Sequence, residues 1–138
     1  MKAKDIMTPE VKTINQEKTV YEAAQLMADH NIGSLPVSDN GNITGIVTDR
    51  DIVIRSTSKG NDPKKIKVKE VMSSGVVTCY QDQGIEELAE KMERFRVRRI
   101  PIIDSDENLV GIISVGDISI RYNQKRASKV LENVCESE

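Results

Sequence analysis

The stretch Gly45-Ile46-Val47-Thr48-Asp49-Arg50-Asp51 decides the fold, because the chain contains it a second time as Gly111-Ile112-Ile113-Ser114-Val115-Gly116-Asp117. Each copy holds a glycine, two β-branched residues, a hydroxyl residue and an aspartate three positions after that hydroxyl. The β-branched pair predicts the end of a buried strand. The hydroxyl-x-x-aspartate spacing predicts the first turn of a helix, with Thr48 or Ser114 at the N-cap and Asp51 or Asp117 at the third helical position.

Such a strand-to-helix junction has two interpretations. The first turn of a helix leaves backbone N–H groups without intrahelical partners, and these groups carry positive partial charge. We therefore expect N–H groups that point outward and can receive an anionic or polyhydroxylated ligand. A single copy is explained more simply as a helix cap, whereas two copies inside a longer repeat favour a site.

Both copies belong to a repeat that covers the whole chain. Residues 2–39 align with residues 67–104 at an offset of 65, and the offset becomes 66 after the second turn, which is one residue longer. This self-similarity indicates two copies of one supersecondary unit that bury apolar faces against each other. A polar joint at 56–63 separates a first domain, predicted at 1–62, from a second domain with a C-terminal helix, predicted at 63–138.

The sequence pattern of each half predicts the order strand, helix, strand, strand, helix. Short opening strands are expected at 11–14 and 76–79. Thr19 begins a Thr-x-x-Glu capping box, which predicts a helix start. The turn Asp39-Asn40-Gly41-Asn42 predicts a tight hairpin, so the strands on either side should pair antiparallel.

The C-terminal stretch carries an apolar stripe beyond the repeat. Its members are Ala127, Val130, Leu131 and Val134. Because nothing in the second half is left to cover this stripe, we expect it to pack on the first half or on a second subunit. Two small aliphatic units also have limited cores, which favours a homodimer.

Composition narrows the class of protein. The net charge of −2 argues against nucleic acid or an anionic membrane as the main partner. The sequence has no apolar run of about eighteen residues, so it predicts no membrane span. The N-terminus also lacks the apolar core of a signal peptide. Cys79 and Cys135 are widely separated, which is typical of reduced thiols in a cytoplasmic protein.

The sequence also argues against an enzyme. The chain has one histidine, which excludes a histidine-rich metal site, and neither cysteine has a paired base nearby in sequence. None of the patterns G-x-S-x-G, H-E-x-x-H and the P-loop occurs. We therefore predict no catalytic residue, no metal and no required cofactor.

Three motifs, each present twice and in the same order, carry a family resemblance. Residues 5–8 read Asp-Ile-Met-Thr and residues 70–73 read Glu-Val-Met-Ser. Residues 34–37 read Ser-Leu-Pro-Val and residues 99–102 read Arg-Ile-Pro-Ile. Together with the doubled glycine-to-aspartate stretch, these motifs resemble a tandem pair of CBS (cystathionine-β-synthase) domains, also called a Bateman module.

The resemblance implies an α/β architecture of the α+β type. Two β-α-β-β-α repeats would pack about a pseudo-twofold axis, with two symmetric clefts between their sheets. The implied ligands are adenosine nucleotides (AMP, ADP or ATP), with S-adenosylmethionine as a further candidate. The implied function is regulation or energy sensing through an unknown partner protein, in a flat homodimer whose first helices meet their counterparts.

The resemblance also assigns roles to residues of this chain. Asp51 and Asp117 would hold ribose hydroxyls, because one carboxylate can accept hydrogen bonds from both hydroxyls of a diol. Thr48 and Ser114 would contact ribose or phosphate. The residues expected to flank the base are Thr13, Thr78, Ile32 and Val97.

The phosphates of the ligand would fall just before the proline-containing strands, where the two halves differ. The second half has Arg98 and Arg99, and the first half has Gly33 and Ser34. Guanidinium groups suit bidentate phosphate binding. We expect the second cleft to prefer phosphorylated ligands, while the first tolerates adenosine or stays empty unless Arg50 compensates.

Two other functions stay open. The chain could be a dimerisation or scaffold module with vestigial clefts. It could also be a nucleic-acid-associated regulator that uses the cluster Arg94, Arg96, Arg98 and Arg99, although a solvated surface explains such a cluster equally well.

Overall fold

Both repeats fold in the predicted order of strand, helix, strand, strand, helix, in a computed structural model that describes residues 1–135. The mixed α+β class is confirmed by two sheets and six helices. The elements in chain order are α1 (Ala3–Ile6), β1 (Ile14–Asn15), α2 (Val20–His30), β2 (Ser34–Asp39), β3 (Asn42–Thr48), α3 (Asp49–Arg55), β4 (Ser73–Ser74), β5 (Cys79–Tyr80), α4 (Ile85–Phe95), β6 (Arg99–Ile103), β7 (Leu109–Ser114), α5 (Val115–Arg121) and α6 (Gln124–Cys135), with 3₁₀ turns at Thr57–Lys59 and Val68–Glu70.

The two sheets share a three-stranded arrangement, to which the first sheet adds a fourth strand. In the first sheet β1 is parallel to β2, and β2 and β4 flank β3 in antiparallel pairs. In the second sheet β5 is parallel to β6, which is antiparallel to β7. Each opening strand is only two residues long and begins at the last residue of its predicted range, at Ile14 for β1 and at Cys79 for β5. The strand β1 pairs with β2 only from Val37 onward. Because Pro36 lies outside this pairing, its missing backbone N–H costs no hydrogen bond with β1.

The hairpin between β2 and β3 forms at the predicted Asn-Gly pair. Asn40 has φ 48° and Gly41 has φ 83°, the positive values that a type I′ turn requires. The second hairpin uses a longer turn, in which Asp104 Oδ1 accepts hydrogen bonds from the N–H groups of Asn108 and Asp106, both at 2.9 Å. These hydrogen bonds hold the pKa of the Asp104 carboxyl below its usual value.

The chain divides into two compact units whose boundaries differ from those of the sequence repeats. Lys12–Val76 forms one unit, here called the first-repeat unit; Met1–Val11 joins the residues from Val77 onward in the other, the second-repeat unit. The predicted division at 62/63 follows the repeats, whereas the contacts assign the leading segment of each repeat to the unit of the other. The last three residues of the predicted 63–138 domain lie outside the described residues.

Apolar burial is the physical reason for this division. Ala3 and Ile6, from the first repeat, are buried in the core of the second-repeat unit. Val68 and Val71, which precede the second opening strand, are buried in the core of the first-repeat unit. Since each buried aliphatic side chain contributes about 1.5–3 kcal/mol, the leading segments are integral to the cores that they join.

The C-terminal stripe is covered within the second-repeat unit. Ala127, Val130 and Val134 on α6 share a core with Leu88 and Met92 of α4. The expectation that α6 needs the first half or another subunit for cover is therefore wrong for these three residues. The reason is that α4 and α5 leave an apolar surface that α6 fills, while Leu131 stays 43% exposed.

Electrostatic contacts repeat in the two units as well. In the first-repeat unit, Lys67 and Lys69 each place Nζ 2.8 Å from a Glu17 carboxylate oxygen. Hydrogen bonds from Lys67 and then Lys69 lower the pKa of Glu17 from 4.5 to about 2. At the position aligned with Glu17, Asp82 lies 3.1 Å from Lys4 Nζ. These pairs are exposed, so they add specificity to segment docking more than stability.

No helix within residues 1–135 is long and apolar enough to cross a membrane.

The burial of Ile6 generates a prediction about stability. Ile6→Ala should lower the free energy of unfolding by about 2–5 kcal/mol, because it leaves a cavity in the core of the second-repeat unit. Urea denaturation measures this loss. The matched control is Ile32→Ala, at an isoleucine that is 36% exposed, which should cost much less. Equal losses for the two variants would contradict the assignment of Ile6 to the core.

Candidate functional site

The first candidate site lies where β3 runs into α3. Thr48 caps the helix, since its Oγ1 accepts a hydrogen bond from the Asp51 N–H at 3.1 Å. Asp51 Oδ2 accepts in return from the Thr48 N–H at 2.9 Å, and Oδ1 lies 3.9 Å from Arg55 Nη1. The Asp51 side chain is 14% exposed, so it is mostly but not fully buried.

The second candidate site repeats this arrangement where β7 runs into α5. Ser114 Oγ accepts from the Asp117 N–H at 3.2 Å. Asp117 Oδ2 accepts from the Ser114 N–H at 2.8 Å and from the Ser114 hydroxyl at 3.1 Å. Asp117 Oδ1 takes part in no hydrogen bond or ion pair within residues 1–135. This oxygen is the free acceptor of the second site.

The first-turn N–H groups are occupied more fully than the sequence predicts. The Asp49 N–H donates to Gly33 O at 2.9 Å, and the Arg50 N–H donates to Asp49 Oδ1 at 2.8 Å. With the Asp51 N–H bound by its cap, all three amides of the first site are satisfied, so the expectation of outward-pointing donors is wrong there. In the second site the Gly116 N–H has no hydrogen-bond partner within the described part of the chain.

Strand register brings predicted site residues together in each unit. Ser34 lies opposite Thr48 in the β2–β3 pair, and Arg99 lies opposite Ser114 in the β6–β7 pair. Opposed residues of an antiparallel pair have Cβ atoms about 4.5–5.5 Å apart. Arg99 is therefore a neighbour of the second motif, whereas its counterpart in the first site is an uncharged serine.

The two sites differ most in charge at the residue before each proline-containing strand. In the first site, a Cβ added to Gly33 would lie 2.9 Å from Asp49 Oδ2, so a carboxylate occupies this position. In the second site the aligned residues are Arg98 and Val115, and the Val115 N–H donates to Arg98 O at 3.0 Å. The first unit therefore has a carboxylate beside its glycine, whereas the second unit has an arginine at the aligned position and no carboxylate at the position of Asp49.

The arginines named by the sequence have different surroundings. Arg98 Nη2 donates to Cys135 Sγ at 3.3 Å, so its guanidinium group is engaged with the end of α6. Arg99 is exposed at the start of β6. Arg50 borders an open cavity of about 350 Å³ with Asp49, Val53 and Ile54, along the outer face of α3.

The residues expected to flank a base lie at the edges of these sites. Thr13 is exposed and directly precedes β1, and Ile32 is 36% exposed in the loop before β2. Thr78 and Val97 are half-buried, and Val97 packs against the core of the second-repeat unit.

No group of three or more histidine, cysteine, aspartate or glutamate side chains within residues 1–135 is arranged to hold a metal ion. A larger open cavity, of about 520 Å³, lies beside the first turns of α4 and α6, and the motif aspartates do not line it.

A family model for the CBS domain matches this chain twice, at residues 3–57 and 68–122. The chain belongs to the CBS domain family. The two matches coincide with the two sequence repeats, so the protein is a tandem CBS pair, and the resemblance stated from its motifs is confirmed.

Two proteins align with this chain over most of their own length. The CBS domain-containing protein YhcV of Bacillus subtilis is 39% identical over 132 residues, which cover 95% of this chain and 93% of YhcV. The solved CBS domain pair of protein MJ0100, in complex with 5′-methylthioadenosine and S-adenosyl-L-methionine, is 29% identical with a TM-score of 0.76; the match covers 91% of this chain and 98% of that one.

A third relative has a stated assembly. The hexameric CBS-CP12 protein from bloom-forming cyanobacteria is 28% identical with a TM-score of 0.79, over 100% of this chain and 99% of that one.

Sequence reasoning missed one cation beside the second CBS site. Lys91 Nζ donates to Thr78 O at 2.6 Å, which ties α4 to the segment expected to flank the base. The available signal was a departure from the repeat, because the residue aligned with Lys91 is Leu26. A charge that replaces an apolar residue on one copy of a repeated helix therefore indicates a local contact.

Proposed function

We propose that this CBS pair is a regulatory module that binds an adenosine nucleotide of the AMP, ADP or ATP class and acts on a partner protein rather than as an enzyme. The observation that carries the proposal is the second site, where Arg99 lies directly opposite Ser114 of the Ser114–Asp117 motif. The bound 5′-methylthioadenosine and S-adenosyl-L-methionine of the MJ0100 pair support an adenosine-containing ligand and make S-adenosylmethionine the alternative.

Asp117 can bind a ribose without giving up its structural role. Its Oδ2 is used by the helix cap, whereas Oδ1 accepts no hydrogen bond within residues 1–135. A ribose hydroxyl can therefore donate to Oδ1 while the cap stays intact. In the first site Asp51 Oδ1 already faces Arg55, which makes the two carboxylates unequal acceptors.

Removal of this acceptor should weaken nucleotide binding. A hydrogen bond to a charged group is worth about 1.5–3 kcal/mol, so Asp117→Ala should reduce AMP affinity roughly ten- to hundredfold in calorimetry. Asp117→Asn keeps an oxygen for the cap and should lose affinity with less change in melting temperature. Asp5→Ala is the matched control, because it removes another capping carboxylate, hydrogen-bonded to the Lys2 N–H at 2.7 Å, from the same unit.

Calorimetry in which the wild type binds none of AMP, ADP, ATP and S-adenosylmethionine would overturn the proposal. The scaffold or dimerisation function would then replace it.

We further propose that the second site is the one that takes phosphates. Arg98, Arg99 and the free Gly116 N–H supply positive charge and donors there. The first site instead places Asp49 beside Gly33, and a carboxylate at that position repels a phosphate. Arg50 adds one positive charge to the first site, and we expect the neighbouring Asp49 carboxylate to offset it, since both residues border the same cavity along α3.

This asymmetry should be visible in a comparison of variants. Arg98→Ala/Arg99→Ala should weaken AMP and ATP about ten- to hundredfold and leave adenosine nearly unchanged, since each charged contact is worth about 1–3 kcal/mol before screening. Lys125→Ala/Lys129→Ala is the control, because it removes two exposed positive charges from α6 in the same unit. If the arginine variant keeps wild-type affinity while Asp51→Ala abolishes binding, the phosphate site lies in the first-repeat unit.

A homodimer remains the proposed assembly, although its support has changed. The α6 stripe is covered internally, but Val53, Ile54 and Ile120 on α3 and α5 are exposed by 57%, 46% and 84%. Apolar side chains at aligned positions of both motif helices favour burial against another copy. The hexameric CBS-CP12 relative shows that a protein of this family assembles from several copies.

Light scattering at micromolar concentration should return twice the 15.4 kDa mass of the chain. Ile54→Lys/Ile120→Lys should shift the population toward the monomer, because two charges would be buried without partners. The control Lys125→Ala/Lys129→Ala should stay dimeric. A wild-type mass of 15.4 kDa would contradict the dimer.

We also place the protein in the cytoplasm. Both cysteines are free, and Cys79 donates to Gln83 Oε1 at 2.9 Å from a buried position. Burial raises the pKa of the Cys79 thiol, which keeps it protonated and unreactive in a reducing compartment.

A further inference from the structure

The end of α4 and the start of β6 form an exposed basic surface with an aromatic side chain at its centre. We call this the arginine surface, and define it as Arg94, Phe95, Arg96 and Arg99. All four side chains are exposed, and Phe95, the only phenylalanine of the chain, is 46% exposed. The Arg94 guanidinium carbon lies 5.3 Å from the centre of the Phe95 ring.

The charges of this surface are not compensated. Within residues 1–135, no carboxylate forms an ion pair with Arg94, Arg96 or Arg99. Some other basic residues of the chain are paired, as Lys4 is with Asp82 and Arg126 with Glu86. Three unpaired guanidinium groups in six residues make a local positive potential on a chain whose net charge is −2.

The first repeat shows that the fold does not require these residues. Aligned with Arg94, Phe95 and Arg96 are Asp29, His30 and Asn31, at the end of a helix of the same length. The first repeat therefore closes this helix without a cluster of positive charge and without an exposed phenylalanine.

Arg96 has a backbone conformation that suits the aligned residue Asn31 better. It has φ 55°, and Asn31 has φ 52°, so both lie in the left-handed region as helix caps. Asparagine and glycine tolerate this region, whereas a long side chain is disfavoured there. An arginine at this cap is less favourable than the asparagine of the first repeat, and this cost favours a use for its charge.

We propose that the arginine surface binds single-stranded nucleic acid. Unpaired guanidinium groups neutralise backbone phosphates, and an exposed aromatic ring provides a face on which a base can stack. The exposed ring of Phe95 favours this partner over an acidic protein segment, because an acidic segment would bind to the charges and would not need the ring. A lipid surface is disfavoured because binding there uses an amphipathic helix with a broad apolar face, and Phe95 stands alone among arginines.

The test is fluorescence anisotropy with labelled oligouridine and oligothymidine of about twelve nucleotides, in about 50 mM and 200 mM salt and without any nucleotide ligand. The wild type should bind, with an affinity that falls steeply as salt rises. Phe95→Ala should weaken binding about five- to hundredfold, and Phe95→Tyr should retain it, because only the former removes the stacking face.

Arg94→Ala/Arg96→Asn should reduce affinity at least about tenfold and lower the salt slope by about 0.7 for each phosphate that is no longer neutralised, the value for single strands. Because Arg96→Asn installs the cap of the first repeat, the melting temperature of the single variant should stay level or rise, which separates weaker binding from impaired folding. Arg99 is left unchanged in this test, since it also belongs to the proposed nucleotide site. Lys125→Ala/Lys129→Ala should bind like the wild type.

Three results would overturn the proposal. One is no binding by the wild type at the lower salt. Another is an equal loss for Lys125→Ala/Lys129→Ala, which would mean diffuse attraction to the whole molecule. The third is displacement of the oligonucleotide by polyglutamate as effectively as by unlabelled oligonucleotide, which would assign the surface to an acidic protein partner. None of these outcomes depends on whether AMP binds beside Asp117.

Discussion

The leading segment of each repeat is buried in the unit of the other repeat, and the rest of the structure depends on this exchange. Ile6 fills one core and Val71 the other. Each motif helix then binds the exchanged segment from its last turn. Arg121 donates to Ile6 O at 3.1 Å, and Arg55 donates to Val71 O at 3.0 Å. The buried segment therefore also fixes the position of the motif helix. The arginine of that helix donates to a segment carbonyl that would otherwise lack a partner.

The same constraint explains the glycine of each motif. A Cβ on Gly45 would lie 2.6 Å from Ser73 O, and one on Gly111 would lie 3.0 Å from Thr8 O. Glycine is needed because the exchanged segment crosses the strand at close range, and the close approach to Ser73 forms the β3–β4 pair. The glycine that begins the motif thus serves the architecture, while the hydroxyl and the aspartate that end it form the candidate site.

The two repeats have the same backbone path but carry different charges at several positions. The two residues joined by one conserved amide-to-carbonyl hydrogen bond are Asp49 and Gly33 in one unit, and Val115 and Arg98 in the other. The cap of the preceding helix carries Asn31 in one unit and Arg96 in the other, at nearly the same φ. If the two units differ in binding, we expect the difference to arise from electrostatics, because the path of the chain is the same in both.

The sequence by itself determined the local structure of this protein. The Asn-Gly turn, the Thr19 cap and the doubled Thr/Ser-x-x-Asp boxes form as predicted, because each depends on hydrogen bonds between residues two to four positions apart. Tertiary structure alone decided which half receives each leading segment, what covers α6, which carbonyl binds the Asp49 N–H and where Lys91 and Arg98 point. In a repeated sequence, docking of a segment on its own half or on the other half satisfies the same apolar pattern. The choice is made by long-range packing, which leaves no signal in local spacing.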